Sequence, residues 1–397
     1  MHIHGKGGAE KRSLVMADVF SDQYIVFLIV NQDIDTSFLE RYFAVNLGQV
    51  KIVVIPKYPN FLQSIGDRLP SRLGDFISHI YHFHRIKALG LDIFINNTMG
   101  SKLLSPTKLS IYMCMFPNEY GDIPISKNVI QQIYRVLINQ LELVTGWHSR
   151  NAMESYSVIT GNSVYTNTWI QKLWQLPSEL VYTVCEDMGV APSGTKIKII
   201  LNVGRFSAIA LNISMKKQEV LLTAFKEQKE LHHLGWELHL AGSLLTSDQE
   251  SFAFAQSLMD AAKGYPVTFH FNLEFTQLRN LYHQASIYWH ATGYGSDHPA
   301  LQEHFGNTTV EAMSAGAVPI VINSGGQREI VTEAIDGFLW NTPVELITKT
   351  IKLAQDKNLL ETLSTQAILS SHRFGRDKFS KRMEGVVSNL LQTLDQV

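Results

Sequence analysis

The sequence predicts an α/β chain made of two doubly wound, Rossmann-like domains. Three observations predict it. Strand-length apolar runs alternate with helix-length amphipathic stretches along the chain. The length, 397 residues, exceeds one ordinary core and suits two domains. Between the halves, Val190-Ala191-Pro192-Ser193-Gly194-Thr195 breaks the helix signal with Pro and Gly just before a new strand.

Taken in order, the expected strands are Tyr24–Val30, Lys51–Ile55, Leu91–Asn96, Leu109–Met115, Ser163–Thr166, Ile197–Val203, Glu237–Ala241, Val267–Phe271, Ile287–His290 and Val318–Ile322. They are short and rich in Ile, Val, Leu and Phe, as parallel strands covered on both faces are. Open sheets of this kind bind ligands outside the carboxyl ends of their strands. The expected limits are 1–192 and 196–372 for the two domains. A last segment, 376–397, carries a helix (Asp377–Leu394) expected to pack back on the first domain. No internal repeat or low-complexity tract is present.

Composition narrows the class. Hydrophobic residues at 45% and charged residues at 18% describe a soluble globular chain. With 34 Lys+Arg against 36 Asp+Glu, the net charge of −2 gives no basic face for nucleic acid. The two cysteines, Cys114 and Cys185, stand far apart and suggest neither a metal cluster nor a disulfide framework, so a reducing cytoplasm is expected. No apolar run reaches the ~18 residues of a membrane span. Met1–Glu10 is polar and Gly-rich, so no signal peptide is expected. Arg72–Leu89 places apolar residues at 73, 76, 77, 80, 83 and 86 among Arg72, His79, His82, Arg85 and Lys87. That pattern reads as a core-packing helix or as a helix lying on the inner face of a membrane.

The chemistry concentrates between His290 and Gly316. A strand ends at His290, a long polar loop follows, and a helix opens near Asn307 or Thr308, either of which would be a good N-cap, after Gly306. The N–H groups of Asn307, Thr308 and Thr309 at that helix start suit a phosphate or sugar oxygen. Glu303 and Glu311 are eight residues apart, a rise of about 12 Å if helical, enough to reach opposite ends of a sugar–diphosphate–ribose unit. Two glutamates by themselves are more often solvated surface carboxylates.

Their surroundings decide otherwise. Glu303, seven residues, Glu311 and then Ala312-Met313-Ser314-Ala315-Gly316-Ala317-Val318-Pro319 resemble the signature of retaining glycosyltransferases of family 4, which have the GT-B fold. The flanks agree in order and spacing: Asn202-Val203-Gly204-Arg205, Lys216-Lys217, Trp236 to Gly242, Gly325-Gly326-Gln327-Arg328-Glu329 and Asp336-Gly337. Tyr288-Trp289-His290 and Glu303-His304-Phe305-Gly306 look most like bacterial mannosyltransferase-related members.

The resemblance implies two Rossmann-like domains facing across a cleft, and transfer of a hexose from a nucleoside-diphosphate sugar to an acceptor hydroxyl. Mannosyl transfer is its finer form. The acceptor would be a sugar, a polysaccharide or a lipid-linked glycan. No cofactor and no metal are implied. Arg205 and Lys216 would clamp the donor diphosphate, Glu303 would lie near the transferred sugar, and Glu311 would accept from the ribose hydroxyls. Gly306 with Asn307, Thr308 and Thr309 would line the sugar–phosphate pocket.

In the first domain, Gly5-Lys6-Gly7-Gly8-Ala9-Glu10 resembles the family's Gly-rich turn, with Gly7 and Gly8 close to donor or acceptor. Met115, before Phe116-Pro117, stands where the family segment carries a sugar-contacting His. Met cannot donate that hydrogen bond, and core filling is an equal reading for it. Two other classes stay open at this point: a non-catalytic nucleotide-sugar-binding protein, and another GT-B enzyme such as a phosphorylase or epimerase.

Overall fold

Every apolar run expected as a strand, save one, pairs in parallel with its neighbour in the computed structural model of the chain. The structure describes residues 8–66, 68–117, 129–210 and 213–393. Contacts divide the chain into two units, residues 1–184 with 376–397, and residues 185–375.

In the first unit, strands β1 (Phe27–Val30) and β2 (Lys51–Val54) pair with each other, and β3 (Ile93–Asn96), β4 (Leu109–Cys114), β5 (Val158–Gly161) and β6 (Glu179–Leu180) form a four-stranded sheet in that order. Alternation along β4 sorts its side chains. Ile111 and Met113 join one core with Leu14 and Val15 of helix α1 (Gly8–Ser21). Tyr112 and Cys114 join the opposite core with Ile86 of helix α2 (Ser71–Lys87), Ile170 and Trp174. Next comes helix α3 (Val129–Thr145). The final helix, Arg376–Gln392, belongs to this unit: Phe379, Met383, Val386, Val387 and Leu390 fall on one helical face and enter the core of α1. Each such burial is worth about 1.5–3 kcal/mol. Arg376 fastens the helix start, donating to the Ala44 carbonyl at 2.9 Å and to Asp18.

In the second unit, β7 (Ile197–Val203), β8 (Glu237–Gly242), β9 (Val267–Phe271), β10 (Ala285–His290), β11 (Val318–Ile322) and β12 (Phe338–Trp340) make one parallel sheet in the order β9-β8-β7-β10-β11-β12. The chain winds outward from β7 in both directions. Helices α4 (Phe275–Gln284) and α5 (Asn307–Ser314) lead into β10 and β11. Leu238, Leu240, Trp289, Ile320 and Trp340 fill the core beside the helical residues Leu221, Phe225 and Leu346. The two indoles are satisfied: Trp289 Nε1 donates to Thr350 Oγ1 at 3.0 Å and Trp340 Nε1 to the His290 carbonyl at 3.1 Å.

Three expectations need correction. Ser163–Thr166 is not a strand. Ser163 caps a helix, Val164–Trp174, by accepting from Thr166 N at 2.9 Å, and the strand lies just upstream as β5. The units part at 184/185 rather than between 192 and 196. Met188 N donates to Ser314 Oγ at 3.0 Å and Met188 O accepts from Arg279 Nε at 2.7 Å, which tie the segment before Pro192 to the second unit. Helix α5 is N-capped by Gly306, not by Asn307 or Thr308.

Candidate functional site

The site is assembled in the second unit by the loops that follow β7, β10 and β11. Directly after β7, Gly204 N donates to Ala241 O at 2.9 Å, and Gln218 Nε2 donates to the carbonyls of Gly204 and Arg205, each at 3.2 Å. A side chain at Gly204 would meet the Lys216 stem at 2.9 Å, so the bare backbone there seats Lys216. From that seat Lys216 Nζ reaches Glu303 Oε2 at 2.6 Å. His290, at the carboxyl end of β10 and 2% exposed, holds the same oxygen through Nε2 at 3.1 Å.

Burial opposes a charge on Glu303, but Lys216 and then His290 outweigh it and hold the carboxyl well below its usual range. The His290 imidazole goes the other way. Burial lowers its pKa in spite of Glu303, so the ring is neutral and Nε2 must carry the proton it donates. Gln327 Nε2, 3.4 Å from that nitrogen, therefore only packs against it, and its amide is oriented instead by Thr309 Oγ1 donating to Oε1 at 3.0 Å.

Gln327 also explains Gly306. That residue has φ +130°, and a Cβ on it would lie 2.2 Å from Gln327 Nε2. The turn into α5 is thus pressed against a fully buried amide. At the same level, Gly326 N donates to the Glu303 carbonyl at 2.8 Å, stapling the loop after β11 to the loop after β10. Behind α5, Tyr288 OH donates to Thr308 Oγ1 at 2.7 Å and Tyr282 OH to Glu311 Oε2 at 2.9 Å.

Of the residues expected from sequence, Lys216 and Glu303 are in direct contact, with Gly306 and Thr309 tied to them through Gln327 and His290. Thr308 and Glu311 are held from behind by tyrosines. Asn307, half-buried at the helix start, has its Oδ1 3.9 Å from Cys185 Sγ. The Arg205 side chain is exposed and makes no ion pair among the described residues. His290, Gln327, Tyr282 and Tyr288 were given no role from sequence. Their only signal is a polar group ending or following a buried strand or helix.

In the first unit, Gly8 opens α1, whereas Gly7 lies outside the described residues, as do Met1 to His4 and Gly5. Met115 sits just past β4 and is half-buried, outside both cores that Met113 and Cys114 enter. Its carbonyl accepts from Thr166 Oγ1 at 3.1 Å. Met115→His should therefore change stability by less than about 1 kcal/mol, against the roughly 1–3 kcal/mol of an imidazole buried without a partner. Thermal unfolding of the variant measures it.

Lys196 yields a pH dependence. Its Nζ donates to the carbonyls of Tyr282 at 3.1 Å and Ala285 at 2.6 Å, capping the end of α4. Burial pulls its pKa down to about 7. The unfolded chain keeps the proton to its ordinary value near 10.4, so between about pH 7 and 10 the unfolded state binds more protons. Stability should rise with pH across that window and be flat in this term below it. The rise should amount to roughly 1–2 kcal/mol after solvent screening, and should vanish in Lys196→Met when chemical unfolding is compared between pH 7 and 9.5.

A parallel sheet carries a cation–carboxylate pair and a helix N-terminus at its carboxyl edge, an arrangement whose N–H groups and cation suit an anionic group. Residues 186–369 match the family described as glycosyl transferases group 1. Among curated relatives, a GDP-Man:Man(3)GlcNAc(2)-PP-Dol alpha-1,2-mannosyltransferase of Dictyostelium discoideum is 25% identical over 314 residues, 74% of this chain and 58% of the relative. One of the same description from Xenopus tropicalis is 24% identical over 213 residues, 51% of this chain and 41% of the relative. The chain thus spans little more than half the length of the first of these, and less of the second.

Among solved structures, Anabaena Alr3699/HepE in complex with UDP-glucose superposes with a TM-score of 0.68 at 16% identity, covering 98% of both chains. A glycosyltransferase from Rickettsia africae gives 0.65 at 13% identity, covering 98% of this chain and 96% of that one. The chain has the GT-B fold of these structures.

Proposed function

We propose that the chain is a retaining glycosyltransferase of the family 4 kind, moving a hexose from a nucleoside-diphosphate sugar to an acceptor hydroxyl. The observation that carries this reading is the Lys216–Glu303–His290 cluster beside the N-terminus of α5. Lys216 pairs with Glu303 at 2.6 Å. A donor diphosphate then takes over Lys216 together with the exposed Arg205, and these cations meet the charge that develops on the leaving group. Transfer needs no metal in this scheme, and a chelator leaves the rate unchanged. Glu303, released toward the sugar, accepts from its hydroxyls, while Glu311 accepts from the ribose. Gly306 and the amides of Asn307 to Thr309 line the pocket between them. Retention follows if the acceptor approaches on the face the diphosphate leaves, with that diphosphate taking the acceptor proton.

Mannose is the proposed sugar, because the curated relatives named above carry GDP-Man in their descriptions. Those descriptions also name a PP-Dol-linked acceptor, so a lipid-linked glycan at the inner face of a membrane is the proposed acceptor, and the cytoplasm the proposed compartment. No helix among the described residues is long and apolar enough to cross a membrane. The surface that would touch one is not α2, whose apolar side chains are half-buried or buried. It is α3, where Val136, Leu137, Leu141, Leu143 and Val144 are exposed.

Thermal unfolding with a panel of UDP-, GDP- and ADP-sugars tests the donor reading. A ligand at about 100 times its Kd stabilises by roughly 2.7 kcal/mol, a shift of several degrees. One base should give that shift; a panel without any shift would contradict the proposal.

A further inference from the structure

We infer that Tyr282 is a positioning residue for the nucleotide site, fixing the Glu311 carboxylate for the ribose hydroxyls; this rests on the donor reading given above. The phenol is fully buried, and its OH donates to Glu311 Oε2 at 2.9 Å. Tyr282 lies in the last turn of α4, and Glu311 lies in the middle of α5, so the bond ties together two helices 29 residues apart in sequence.

The chemistry of the pair favours positioning over plain packing. A buried phenol whose only polar atom meets a carboxylate gives up its hydration for one charge-assisted hydrogen bond. Burial and the neighbouring Glu311 both raise the Tyr282 pKa, so the phenol remains a donor wherever Glu311 is ionised. A carboxylate offers about four acceptor sites, and one phenol takes a single site. What the phenol adds is a restraint on rotation, because the terminal χ3 of a glutamate is intrinsically broad. Two vicinal hydroxyls demand one carboxylate plane, and a plane set beforehand spares the ligand that ordering cost.

The tyrosine is itself anchored. Its carbonyl and that of Ala285 accept from Lys196 Nζ, so the end of α4 is fastened to the entry of β7. The hydroxyl is held by the backbone that carries it, not by side-chain contacts alone. Supporting bonds behind metal-binding side chains are worth about 10–100-fold in affinity, and the same kind of restraint acts here on a hydroxyl-binding carboxylate.

The test uses the full chain with UDP and GDP, and the 2′,3′-dideoxy form of whichever binds. Isothermal titration is run on wild type, Tyr282→Phe and Glu311→Gln, with donor kinetics alongside. Tyr282→Phe keeps the ring and its packing, and its unfolding temperature checks that the fold is retained. The expected result is roughly tenfold weaker binding of the parent diphosphate, little change for the dideoxy analogue, and a KM that rises more than kcat falls. A structural role would weaken both nucleotides alike and leave their ratio at the wild-type value; that outcome overturns the inference. Should Glu311→Gln lose the ribose discrimination while Tyr282→Phe keeps it, the positioning role fails and the ribose role of Glu311 stands. Should Glu311→Gln itself keep wild-type discrimination, the ribose role fails and the inference with it.

Discussion

Glu303→Gln should lower sugar transfer by two orders of magnitude or more while unfolding at nearly the wild-type temperature. The two expectations have separate causes. The glutamine amide has the shape of the carboxylate, and its oxygen can still accept from Lys216 Nζ and His290 Nε2, now 2.6 and 3.1 Å from Glu303 Oε2. What disappears is the charge. Glu303 and Lys216 side chains are 19% and 31% exposed, so solvent screens their attraction, and its loss should cost about 1 kcal/mol. Catalysis has no such cushion. An electrostatic group aimed at a reacting sugar typically contributes 10²–10³ in rate, because the interaction tightens as charge develops. Initial rates with saturating donor, beside a melting curve, separate the two. A variant that loses several kcal/mol and activity together would make Glu303 a structural residue instead.

Gly325→Ala should be the most damaging small substitution at the site. Gly325 has φ +57°, where a side chain costs about 1–2 kcal/mol. Its added Cβ would stand 2.2 Å from the Glu303 carbonyl oxygen and 3.2 Å from its carbon. Backbone must move, and the segment that moves carries Glu303 and the 2.8 Å bond from Gly326 N. A loss of roughly 2–4 kcal/mol is expected, with activity near background. Gly264→Ala is the internal control: its φ is +82° but nothing lies within 4 Å of the new Cβ. That variant should lose only the backbone term and retain transfer. Equal losses in both would mean that strain alone, not the collision with Glu303, sets the effect.

The second sheet could be read from sequence because its strands are buried on both faces. Val318-Pro-Ile-Val-Ile is buried along its whole length, and a continuous apolar run is what such a strand looks like. Short strands were not legible: Phe338–Trp340 has three residues and Glu179–Leu180 two, too few to show a period. Ser163–Thr166 misled because its apolar content resembles a strand while its Ser side chain, bonding three residues on, turns the chain into a helix. Within the site, the spacing of Glu303 and Glu311 was legible as a local motif. Their supports were not. His290 meets Glu303 across 13 residues, Tyr282 meets Glu311 across 29, and Gln327 meets Thr309 across 18. Such pairs arise where the helices and loops beside neighbouring parallel strands meet, and no local pattern encodes them. The Lys216–Glu303 contact, across 87 residues, is of the same kind.

Transfer with retention at this site would be visible in the proton NMR signal of the donor's anomeric centre. The nucleotide sugar selected by thermal shift is incubated with the chain and its acceptor, or with water as a slow acceptor, and the first-formed product is recorded before it can mutarotate. The donor signal should be consumed, the new anomeric signal should have the donor's configuration, a chelator should change nothing, and Glu303→Gln should form product more slowly by roughly 10²-fold or more. A product of inverted configuration, or consumption of donor at the same rate by wild type and Glu303→Gln, would contradict retaining transfer at this site.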